Sequence, residues 1–145
     1  MTERIQWDED SFFNAISHLN QKAINTIKNL LEFSRQYASE IRWGRGKVHG
    51  SFSFVAEVGG KRLTVFSVFT YGESCTLSLN FGNMRGIVND DELNTFRNEL
   101  NKLPGVQLSE EVITEGKYPG ISINSLLKEE DFDIFKSAVK TLIRL

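Results

Sequence analysis

The chain has 145 residues, with 17 Lys and Arg against 19 Asp and Glu and a formal net charge of −2. Hydrophobic residues make up 40% and charged residues 25%, a globular balance that excludes a largely disordered chain. The basic excess of a free-standing nucleic-acid binder is missing, as is a basic amphipathic membrane-surface helix, and no run approaches the roughly 18 apolar residues of a membrane span.

The first element covers residues 8–38 and is helical. Asp8 is a good N-cap, and Glu9 and Asp10 suit the positive end of the helix dipole. Trp7 and Phe12 have the spacing of a hydrophobic staple across that cap. Ile16, Leu19, Ala23, Ile27, Leu30, Leu31, Tyr37 and Ala38 continue one stripe at helical spacing, with a break at Asn20 as an alternative.

The period then changes to two. Ile41 and Trp43 flank Arg42 as a short strand, and Gly44-Arg45-Gly46 is a tight connection. Phe52, Phe54, Ala56 and Val58 share one face of the next strand, with Ser51, Ser53, Val55 and Glu57 on the other. Gly59-Gly60 fits a two-residue hairpin turn that needs positive φ twice. Residues 63–70 are bulky on both faces and read as a central strand, and Tyr71-Gly72-Glu73 turns the chain again. Cys75, Leu77, Leu79 and Phe81 alternate with Ser74, Thr76, Ser78 and Asn80. Residues 51–81 therefore predict an antiparallel meander with one apolar face and one face of small polar residues.

Asn89 and Glu92 are spaced as a capping box for a helix with the stripe Leu93, Phe96, Leu100 and Leu103, stopped by Pro104-Gly105. Residues 106–108 and 120–123 read as short strands around a loop. The last helix spans 129–144, with Phe132, Phe135, Val139 and Leu142 facing the core. With no linker or repeat, the chain reads as one domain over 1–145. Its fold class is α+β, an antiparallel β-meander covered by N-terminal, middle and C-terminal helices.

One stretch concentrates chemistry. Arg42, Trp43, Arg45, Lys47 and His49 surround a Gly-rich turn, whose free N–H groups suit an anion and whose Trp43 suits stacking. The plainer reading is a hairpin turn with solvated charges and Trp43 in the core. It is no Walker loop, because a strand follows it rather than a helix. Other signals are weaker. Glu115-Gly116-Lys117 with Asp90 or Asp91 matches the acid-x-Lys pattern of restriction-type nucleases only at chance frequency, and both Asp residues sit at a helix start. Cys75 lies among apolar strand residues, and His18 and His49 have no sequence partners that complete a triad or a metal set. Phe52, Phe54, Phe66 and Phe69 read as core by alternation.

Trp43-Gly44-Arg45-Gly46-Lys47, Gly50-Ser51-Phe52 and Leu103-Pro104-Gly105-Val106 resemble an uncharacterised bacterial domain with the pattern Trp-Gly-x-Gly-Lys-x-x-Gly-Ser-Phe and a later Leu-Asn-x-x-Gly-Val. Here Leu100-Asn101-Lys102-Leu103-Pro104-Gly105-Val106 is one residue longer than that later spacing. The resemblance spans residues 30–145. It implies no particular activity, and it implies a setting beside nuclease-like modules in bacterial defence proteins.

The expected function is a non-catalytic interaction or ligand-binding module of a bacterial-type cytosol, without cofactor or metal. Its partner is a protein or an anionic ligand, not a membrane. The alternative is a nucleic-acid-associated accessory domain using the basic turn, and the third reading is a hydrolase whose residues are unplaced. A single cysteine, Cys75, and the polar start Met1-Thr2-Glu3-Arg4-Ile5 fit a reduced, cytoplasmic setting. The discriminator is charge: Arg42, Arg45 and Lys47 meeting Lys61 and Arg62 on one face favour nucleic acid, and interleaved acids disfavour it.

Overall fold

Asp8 opens the first helix as its spacing predicts. In the computed structural model, which describes residues 6–71 and 75–143, its carboxylate accepts the Ser11 N–H at 2.8 Å, and the Ser11 hydroxyl accepts the Asp8 N–H at 2.9 Å. This reciprocal box starts α1 (Glu9–Ala15), and the bonds from Ser11 hold the Asp8 carboxyl below its ordinary value. The helical stretch then breaks. Asn20 is extended and accepts the Ala23 N–H at 2.8 Å, which starts α2 (Gln21–Tyr37).

Five strands follow the order β1 (Glu40–Trp43), β2 (Ser51–Val58), β3 (Lys61–Phe69), β4 (Thr76–Leu79) and β5 (Gly120–Ser122), each antiparallel to its neighbour. The strands expected over 51–81 are the central three, and β1 and β5 widen the sheet at its edges. Gly59 and Gly60 have φ of 59° and 80°, the doubly positive turn that matches strand twist. Gly72 to Ser74, between β3 and β4, lie outside the described residues.

Phe52, Phe54, Phe66, Val68, Leu77 and Leu79 form the apolar face, all fully buried. Phe12 of α1 meets Phe52 at 5.3 Å, and Phe33 of α2 stacks on Phe54 at 5.8 Å. Phe135 of α6 (Glu129–Leu142) meets Phe66 edge-on at 5.1 Å. Three helices thus cover one side of the sheet, each fully buried Phe or Leu contributing about 1.5–3 kcal/mol by burial.

Three expectations need correction. The alternation does not run unbroken from Cys75 to Phe81. Cys75 has a φ of 75°, β4 spans only Thr76–Leu79, and Phe81 opens α3 (Phe81–Met84), although both side chains are buried as expected. Residues 106–108 form no strand. After α4 (Asp90–Leu100), capped by Asn89, the Asn101 side chain accepts the Leu108 N–H at 2.7 Å and donates to its carbonyl at 3.0 Å. Arg97 adds a second bond to that carbonyl at 2.9 Å, so a side chain takes the place of a strand partner. Residues 111–114 form the short α5 (Glu111–Thr114), and a 3-10 turn at Ile123–Leu126 leads into α6. Finally, α6 ends at Leu142, and Arg144 lies outside the described residues.

Candidate functional site

The second face of the sheet carries a polar row across all five strands. Arg42, Ser53, Ser67, Ser78 and Gly120 are successive cross-strand partners. The Ser53 and Ser67 hydroxyls lie 2.7 Å apart, the Asn80 amide donates to Ser67 at 3.1 Å, and Ser78 donates to Asn80 at 2.9 Å. The row therefore satisfies itself and is low and rigid.

At one end of this face, Glu40 accepts hydrogen bonds from Arg62 and, at 3.5 Å, from Arg42. Glu40 lies opposite Val55 and Arg62 opposite Glu57, so the bridge crosses β2. This explains why Val55 is only 1% exposed on an otherwise polar face. It also decides the charge question at that end against nucleic acid, because an acid lies between Arg42 and Arg62, and leaves only Arg45 and Lys47 of the turn without an acid partner among the described residues.

The other end holds the predicted turn. Its glycines provide space rather than an anion nest, since none of Gly44, Gly46 and Gly50 is among the glycines with positive φ. A Cβ on Gly44 would meet the Ser51 hydroxyl at 2.1 Å, and one on Gly50 would meet the Trp7 ring at 2.4 Å. Trp7 fastens the turn. Its backbone N–H donates to the Gly44 carbonyl at 3.0 Å and its indole N–H to the Gly46 carbonyl at 2.8 Å. Gly50 and Thr70 exchange two further bonds, at 2.9 and 3.0 Å, which tie the turn to the end of β3.

The five predicted residues separate into groups. Trp43 packs on the apolar side of the sheet, 6.0 Å from Phe12 and 5.6 Å from Phe52, and is partly buried there. Arg42 stands on the polar face beside Glu40. Arg45, Lys47 and His49 are exposed, and neither Arg45 nor Lys47 forms an ion pair among the described residues. The His49 ring lies 5.4 Å from Tyr71, edge to face, and Tyr71 stacks on Phe69 at 5.0 Å.

This aromatic run departs from the expectation that Phe69 is core. Phe69 is not core: it pairs with Ser51 and Thr76 on the polar face and is only partly buried, while Tyr71 is 40% exposed. Alternation starting from Phe66 contained the signal, since residue 69 falls on the opposite side of the strand.

The remaining candidates do not assemble into a catalytic centre. Lys117 pairs with Glu111 at 3.5 Å and Glu115 at 3.8 Å at the surface, and Asp90 and Asp91 occupy the first turn of α4. Among the described residues, no three His, Cys, Asp or Glu side chains are grouped to hold a metal. Burial pushes the Cys75 thiol up to about 11, so it is protonated and unreactive at neutral pH. His18 is exposed after α1. A groove of about 570 Å³ lies between α2 and α6, but its lysines are already engaged. Lys140 lies 4.5 Å from the Tyr37 ring centre and Lys136 is 3.3 Å from Asp133. No described helix is long and apolar enough to cross a membrane.

No family model, curated protein or solved structure matches the chain.

Proposed function

We propose that this domain is a non-catalytic binding module of the cytosol, and that it recognises an anionic ligand or partner at the end of the sheet where the turn 44–50 meets Phe69 and Tyr71. One observation carries the reading: Arg45 and Lys47 are exposed, have no ion-pair partner among the described residues, and sit on a backbone fastened by Trp7. A guanidinium with no prior acid to leave can take a phosphate or carboxylate bidentately, without losing an internal pair. A fixed backbone lowers the ordering cost of binding.

The test is Arg45→Ala combined with Lys47→Ala. Exposed turn charges contribute little stability, so the double variant melts like the wild type. Its retention on a heparin column, and its binding of labelled inorganic polyphosphate at low salt, fall together. Unchanged binding with the fold intact removes this turn as the recognition surface.

A further inference from the structure

We infer that the anion recognised at this site is single-stranded nucleic acid, with bases stacking on the Phe69–Tyr71–His49 run and phosphates held by Arg45 and Lys47. The inference rests on the anion-binding reading above and specifies its ligand.

The surroundings of Phe69 carry it. Along its row across the sheet, Phe69 is flanked by Ser51 and Thr76, and Thr76 by Ser122. Beyond Ser51, the Gly44 N–H donates to the Ser51 carbonyl at 2.8 Å, and a side chain at 44 would strike the Ser51 hydroxyl. The next row inward holds Ser53, Ser67 and Ser78. Small hydroxyl residues thus flank one aromatic side chain on the polar face of the sheet. Phe69 continues into Tyr71, 40% exposed, and Tyr71 into His49. The cations of the turn begin one residue past Gly44. The turn that carries Arg45 and Lys47, neither with an ion-pair partner among the described residues, is the turn that brings His49 to Tyr71. Aromatic rings and cations on one turn and strand end are what a flexible strand needs: π faces for bases and positive charge along the backbone.

An acidic peptide fits less well. It needs the cations but leaves the rings without a role. Its usual route, adding a strand at the β1 edge, meets groups already in use: the Gln6 amide donates to the Trp43 carbonyl at 3.2 Å, and the Trp7 N–H to the Gly44 carbonyl. A duplex is too stiff and too stacked to offer its bases to the rings. The pair of Glu40 with Arg62 confines the positive site to the turn end, so it engages a short stretch of strand.

The test uses fluorescence anisotropy with a labelled oligothymidine, competed by the matching duplex, inorganic polyphosphate, poly-glutamate and free thymidine monophosphate. The variants are Tyr71→Ala, Tyr71→Trp and the Arg45→Ala/Lys47→Ala pair. Losing one base–aromatic stack corresponds to about 5- to 150-fold weaker binding. Tyr71→Ala is therefore expected to weaken oligothymidine binding by that range while leaving polyphosphate binding unchanged, and Tyr71→Trp to restore it. The cation pair weakens both probes and makes the salt dependence shallower by roughly 0.7 per charge removed. Oligothymidine binding that is indifferent to Tyr71→Ala, or poly-glutamate binding more tightly than the oligonucleotide, overturns the inference and leaves the anion reading standing. Thymidine monophosphate competing as well as the oligonucleotide overturns the strand as ligand. A wild-type protein that binds none of these polyanions overturns both readings.

Discussion

The indole N–H of Trp7 donates to the carbonyl of Gly46 at 2.8 Å, across 39 positions of sequence. The same ring lies where a Cβ on Gly50 would stand, 2.4 Å from its nearest atom. One side chain therefore meets the turn that carries Arg45 and Lys47 at two points, Gly46 and Gly50. Gly50→Ala is expected to cost about 1–3 kcal/mol through overpacking. Trp7→Phe is expected to cost about 1 kcal/mol through the lost hydrogen bond. Urea titrations followed by circular dichroism measure both, and a Gly50→Ala protein as stable as the wild type would show that the ring does not pack on this turn.

At the β2–β3 hairpin, backbone conformation decides the outcome rather than space. Nothing lies within 4 Å of a Cβ added at Gly59 or Gly60, yet both have positive φ. Gly59→Asn is expected to be neutral within about 0.5 kcal/mol, because Asn-Gly is the preferred pair for this turn. Gly60→Val is expected to cost about 1–2 kcal/mol, because a β-branched residue resists the left-handed region. Thermal melts of the two variants provide the comparison, and equal melting temperatures would contradict it.

Asn80 joins the buried hydroxyls of Ser67 and Ser78 through bonds of 3.1 and 2.9 Å. Asn80→Ala removes both and leaves the buried Ser78 hydroxyl without its acceptor, while Ser67 keeps Ser53 at 2.7 Å, at an expected cost of about 1–3 kcal/mol. Ser53→Ala, at the more open end of the row, is expected to cost less than Asn80→Ala. A reversed order in urea denaturation would show that the row is not the connected unit described here.

Cys75 is 2% exposed, and its thiol is pushed up to about 11 from an ordinary 9.0 by burial. The folded pKa is raised, so its contribution to stability is complete below pH 9 and is lost as pH rises through 9 towards 11, where the unfolded chain gives up its proton first. The thiol is expected to resist Ellman's reagent at pH 8 in the native protein and to react at once in guanidinium. Rapid native labelling would show that the residue is accessible.

Leu77 is fully buried on the apolar face, between Val68 and Ile121 as cross-strand partners. Leu77→Asp places an unpaired charge there and is expected to abolish the cooperative melt. A melt like that of the wild type would refute the assignment of the faces.

What the sequence determined by itself were features settled within a few residues. Asp8, Asn20 and Asn89 cap helices because their side chains reach the backbone N–H three positions on. Period-two alternation placed Phe52, Phe54, Leu77 and Leu79 on one face, and Gly59-Gly60 marked the hairpin. Composition alone located the basic turn from Arg42 to His49. Tertiary structure decided whatever depends on partners distant in sequence. Residues 106–108 are extended-looking, yet Asn101 takes the bonds a strand would have made. Val55 sits on the polar face and is buried by an ion pair that crosses its strand. Trp43 turns towards Phe12 and Phe52, while Phe69 turns to the other face, where it meets Tyr71 and through it His49. Local sequence sets backbone period and caps because those bonds close within one turn. Which face is covered and which cation stays unpaired depends on the register of strands and the docking of helices, and those are set only when the whole core packs.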